Sequence, residues 1–133
     1  MKSGEKMENL YRCELTNECE VYDYNDDGYK ALVYYNGWRV AIINYAEHFD
    51  ETNFEKIERH LETDEVFILI DGQATLVVGT DCKQIPMEKG KIYNIKKNGW
   101  HGIFVNKLYP ETKVIVVENA DTSKENTEYL YIK

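Results

Sequence analysis

The sequence has no apolar run approaching the roughly 20 residues that would span a bilayer, so no membrane-crossing helix is expected. Its opening, Met1-Lys2-Ser3-Gly4-Glu5-Lys6, has no apolar stretch behind it and does not read as a secretory signal. Cysteine is scarce. Cys13, Cys19 and Cys82 make an odd count without zinc-type spacing, which predicts free thiols in a reducing cytoplasm. No His or basic run adjoins them to suggest a nucleophile. Positive charge is also short: 16 Lys and Arg face 24 Asp and Glu, for a net charge of -8. That balance argues against nucleic acid and against an anionic membrane surface as partners. No amphipathic helical period, internal repeat or low-complexity tract is present.

What remains is a chain of short strands. At 133 residues the length predicts one domain with one modest core. Eleven Tyr suit strands and pocket walls. Residues 1–28 form a polar N-terminal segment ending in the Tyr24-Asn25-Asp26-Asp27-Gly28 turn, with a short strand possible around residues 19–24. Residues 29–35 and 38–45 flank Asn36-Gly37, a strong hairpin signal. After an irregular stretch at 46–53, residues 54–60 form a strand carrying polar groups inward. Residues 65–70 and 73–79 flank Asp71-Gly72, which reads as a second hairpin. Further strands are expected at 83–86, 91–96, 100–105, 113–118 and 129–132. Strands punctuated by turns every 8 to 12 residues or so indicate an all-β sandwich or barrel.

The chemistry concentrates in Glu58-Arg59-His60-Leu61-Glu62-Thr63-Asp64-Glu65, followed by Val66-Phe67-Ile68-Leu69-Ile70 and Asp71-Gly72. Side chains two apart on a strand share a face, so Glu58 and His60 reach one point, and Glu65 reaches it from the next strand. This spacing resembles the first motif of the cupins: His, any residue, His, three or four residues, Glu, six residues, Gly. His60, Glu65 and Gly72 match it; Glu58 stands at the first His, and Thr52 where the family often has Gly. Lys96-Lys97-Asn98-Gly99-Trp100-His101 resembles the second motif, with His101 at its His, Asn98 at its Gly and Val105 at its Asn. Asn tolerates the positive φ that such a position requires.

The resemblance implies a double-stranded β-helix, or jelly-roll barrel, whose motif-bearing core runs over 54–118, and a homodimer. It also brings His60, Glu65, His101 and Glu58 into one site. Two imidazoles and two carboxylates suit divalent iron, manganese, nickel, cobalt or zinc. Glu58 is either a ligand or, free of the metal, a general base. Phe67, Leu69, Ile103 and Val105 share the inward parity of Glu65 and His101 and form either an apolar pocket floor or core. His48 reads as a solvated loop residue, Trp100 as packing on the opposite face, and Lys96-Lys97 as a solvated turn. The tyrosines 22, 24, 29, 34 and 35 suit packing, a pocket wall or a dimer contact. Three functions follow: a metal-dependent enzyme acting on a small molecule, a non-catalytic binder of a sugar or organic acid, and a metal-free isomerase or epimerase.

Overall fold

The computed structural model describes residues 11–132. The expectation about a secretory signal at the N-terminus lies outside the described residues. Among the described residues, twelve strands run in chain order: β1 (Arg12–Glu14), β2 (Glu20–Tyr22), β3 (Gly28–Tyr35), β4 (Trp38–Asn44), β5 (Lys56–His60) and β6 (Glu65–Asp71), then β7 (Ala74–Val78), β8 (Lys83–Pro86), β9 (Ile92–Ile95), β10 (His101–Val105), β11 (Lys113–Asn119) and β12 (Thr127–Tyr131). Short 3-10 turns at Glu47–Phe49 and Glu51–Asn53 occupy the stretch read as irregular, and a third lies at Lys124–Asn126.

Ten of these strands form two five-stranded antiparallel sheets, ordered β12-β5-β10-β7-β8 and β3-β4-β11-β6-β9. β1 and β2 pair separately. The Asn36-Gly37 hairpin forms as expected: Tyr35 faces Trp38 across it, and Asn36 takes a φ of 48°.

The Asp71-Gly72 hairpin does not form. β6 pairs with β9 and β11, whereas β7 pairs with β8 and β10, so this turn carries the chain from one sheet to the other. Thr112 holds the crossing. Its hydroxyl accepts from the Gln73 amide at 3.1 Å, and Gly72 approaches so closely that a Cβ there would sit 2.2 Å from Thr112 Oγ1. Gly72 also has a φ of +73°, which an L side chain rarely adopts. A local turn signal states that the chain bends; long-range pairing decides which strand receives it.

The central core lies between the two sheets. It contains Ala41, Ile43, Phe67, Leu69, Ala74, Leu76, Val105, Val114 and Val116, with Ile103 packed at its margin. Burying each of the larger side chains contributes about 1.5–3 kcal/mol. β5 serves two layers. Ile57, fully buried, turns outward with Val77 and Phe104 into a second cluster beside Phe54 and Trp100. Gly102 leaves room for this layer, since a Cβ there would meet the Phe54 ring at 2.7 Å. Glu58 and His60, on the opposite parity, face the barrel interior. No helix among the described residues is long and apolar enough to cross a membrane.

Candidate metal centre

Three strands meet at one mouth of the barrel. Glu58 and His60 close β5, His101 opens β10, and Glu65 opens β6 from the facing sheet. His101 lies directly across from Glu58 in register. One donor atom from each of Glu58, His60, Glu65 and His101 lies within 4.8 Å of the others. The structure thus brings together all four residues named from sequence. His60, Glu65 and His101 are buried, while the Glu58 side chain is about one-third exposed (36%) and forms the open side. Asn98, in the turn before His101, adopts a φ of 69°, as its place in the second motif requires.

The imidazoles converge on one oxygen. His60 Nε2 lies 2.9 Å and His101 Nε2 2.8 Å from Glu65 Oε1, and Glu58 Oε2 is 3.2 Å from His60 Nε2. The far ring nitrogens are already engaged. His101 Nδ1 lies 2.9 Å from the Gly99 carbonyl, which only accepts, so Nδ1 carries the proton. In neutral His101 the lone pair on Nε2 therefore points at a carboxylate oxygen. Two acceptors at that distance need a proton or a cation between them. His60 Nδ1 is held by Thr127 Oγ1 at 2.9 Å, from the opposed position on β12. Imidazoles held through Nδ1 with Nε2 turned toward carboxylate donors are the usual arrangement of His ligands to divalent metals. The donor set fits such an ion.

Without a cation, protons hold the cluster together. Burial alone would lower the His60 pKa, but hydrogen bonds to Glu58 and Glu65 override it and raise it to about 10. His101 follows the same pattern and is also raised, chiefly through its bond to Glu65. Burial would raise Glu65, yet its bonds to the two imidazoles hold it well below the usual carboxylate range.

Sequence reasoning missed Glu118 and Arg39 at this mouth, whereas Tyr29 was among the tyrosines suited to a pocket wall. Glu118, buried on β11, accepts through Oε1 from Arg39 Nη2 at 2.6 Å, from Arg39 Nε at 3.2 Å and from the Tyr29 hydroxyl at 3.0 Å. Its Oε2 is buried without a hydrogen-bond partner and lies 3.8 Å from His60 Nε2. Burial and the nearby charge of Glu65 raise the Glu118 pKa to about 7, against the pull of Arg39. The available signal was parity: Glu118 follows Val114 and Val116 on the inward face of an apolar strand.

The other sequence candidates fall elsewhere. Phe67, Leu69, Ile103 and Val105 pack in or against the central core, with the Phe67 ring 5.9 Å from that of His101. His48 is exposed beside Phe49. Trp100 packs outside under Arg59, whose guanidinium is 4.7 Å from the ring centroid. Arg59 also pairs with Glu128 rather than with Glu58.

No family model and no curated protein matches this sequence. Solved structures do. A cupin-2 domain protein from Shewanella frigidimarina matches at 18% identity and a TM-score of 0.53, covering 90% of this chain and 93% of that one. Pac13 of Streptomyces, a nucleoside dehydratase also solved with uridine, matches at 9% identity and a TM-score of 0.57, covering 81% and 82%. The iron(II) protein HppE in complex with its substrate matches at 16% identity and a TM-score of 0.55, covering 67% and 51%. The chain has the double-stranded β-helix fold of the cupins.

Proposed function

We propose that this small cupin barrel binds a divalent metal ion through His60, His101 and Glu65, with Glu58 as fourth ligand, and acts on a small organic molecule at that centre. The observation that supports it is the convergence of two Nε2 atoms on Glu65 Oε1, with each Nδ1 already engaged. Two imidazoles and two carboxylates suit iron, manganese, nickel, cobalt or zinc. Such an ion supplies Lewis acidity or oxygen activation when bound. This chain's residues fix the ring orientations and exclude water from the inner side, and the exposed edge of Glu58 marks the side of approach. HppE, solved with iron(II) and a substrate on a similar fold, is consistent with this reading. We place the protein in the cytoplasm, on its three free cysteines, and read it as a homodimer.

Elemental analysis of protein purified without chelator or a metal-binding tag, followed by soaking with each ion at neutral pH, tests the reading. Near-stoichiometric metal in the wild type, lost in His60→Ala and His101→Ala with the fold retained, supports it. Absence of metal after soaking, or full occupancy in both variants, overturns it.

A second reading is a metal-free isomerase or dehydratase. His60 raised to about 10 and Glu118 raised to about 7 would supply an acid and a base of different strength in one site. Pac13 acts on a nucleoside within the same fold. Deuterium exchange into a candidate substrate by chelated protein would favour this reading.

A further inference from the structure

Glu118 is more deeply placed than a surface salt bridge requires. Its side chain is 4% exposed, and three donor contacts, from Arg39 Nε, Arg39 Nη2 and the Tyr29 hydroxyl, all fall on the same oxygen, Oε1. Oε2 receives none of these donors, which is costly for a buried carboxylate oxygen, and it can bond the neighbouring Glu65 carboxylate only while Glu118 is protonated. Arg39 sits directly opposite Glu118 in the β4–β11 register, so the carboxylate is gripped from one side and aimed the other way. That other way is the candidate centre, with His60 Nε2 3.8 Å distant. Glu118 nevertheless stands outside the set of four donors that share one small sphere. An oxygen beside the sphere, buried and reached by no fixed donor, is suited to accept a hydrogen bond from whatever occupies the open position once Glu65 is engaged by the ion.

We infer that Glu118 Oε2 is the built-in acceptor for the exchangeable ligand of this centre, a water or a substrate hydroxyl, and not itself a metal ligand. The inference rests on the metal reading above. It assigns the site a preference for ligands that present a hydrogen-bond donor, and a bias against anions, which would face a carboxylate oxygen at close range on the side away from Arg39. Arg39 and Tyr29 are positioning residues that act through Glu118.

Cobalt(II)-loaded wild type and Glu118→Gln, titrated with azide and followed by visible absorption, test it. The amide keeps an acceptor for Arg39 and Tyr29 while removing the charge that repels azide. The expected result is cobalt affinity within about threefold of wild type and azide affinity raised about tenfold. A loss of cobalt affinity beyond tenfold would make Glu118 a ligand and overturn the inference, as would unchanged azide affinity. A crystal structure of cobalt-loaded wild type tests the same point without any variant. Oε2 within hydrogen-bond distance of a non-protein ligand of the ion supports the inference; Oε2 bonded to the ion, or turned away from that ligand, overturns it. Wild type that takes up no cobalt overturns the metal reading and this inference together, whereas a loaded wild type with an indifferent Glu118 overturns this inference alone.

Discussion

Thr127 and His60 face each other across the β5–β12 pair, and the Thr127 hydroxyl lies 2.9 Å from His60 Nδ1. The last strand therefore sets the orientation of a ring whose other nitrogen points into the candidate centre. Strand β12 is fastened beside it by Arg59–Glu128 and by Lys56 over the Tyr129 ring.

Thr127→Val keeps the β-branched shape and removes the hydroxyl. Metal affinity is expected to fall about 10- to 100-fold, the usual cost of losing a partner of a ligating His. Calorimetric titration with zinc or manganese measures it, and unchanged affinity would show that β12 only packs.

Glu58→Gln should reduce metal affinity by about tenfold or more, because a charged oxygen donor becomes a neutral amide. Retained metal with lost turnover would instead make Glu58 a base.

Stability of the metal-free protein should decline from mildly acidic to alkaline pH. The His60 pKa is raised from 6.5 to about 10, so its contribution is full below pH 6.5 and lost as pH rises through about 10. Glu118, raised from 4.5 to about 7, adds a loss between those two values. Glu65 is lowered, so its contribution is present above its ordinary 4.5 and fades only in stronger acid. Thermal melts in excess chelator from pH 5 to 10 should show a falling Tm, and a saturating divalent ion should flatten the fall. A flat profile in chelator would contradict the proton-held cluster.

Gly72→Ala should destabilise by about 1–3 kcal/mol, since it forces an L residue to positive φ against Thr112. Urea unfolding measures this, and a neutral result would show that the sheet crossing can relax.

Light scattering should give twice the 15.7 kDa chain mass. The edge strands β3 and β12 expose Tyr34, Tyr35, Tyr129 and Tyr131, a surface suited to a second copy. The single-chain mass across micromolar concentrations would rule the dimer out.

The strands and the four donors were legible because both obey short-range rules: alternation placed Glu58 with His60, and motif spacing added Glu65 and His101. The pairing of β6 was not. Asp71-Gly72 carries the composition of a hairpin turn, yet contact with Thr112, distant in sequence, sends β7 to the other sheet. Glu118 was readable by parity but has no place in the recognised spacing. Thr127 left no local mark at all, since its partner His60 is met only once the last strand docks.

That docking has a consequence for synthesis. A ribosome makes Glu58, His60 and Glu65 well before His101, Glu118 and Thr127, at about 5–20 residues per second. The early donors emerge as a flexible trio without their orienting neighbours. On the metal reading, loading therefore belongs to the finished barrel, and ion selection is made by a closed scaffold instead of by a nascent chain.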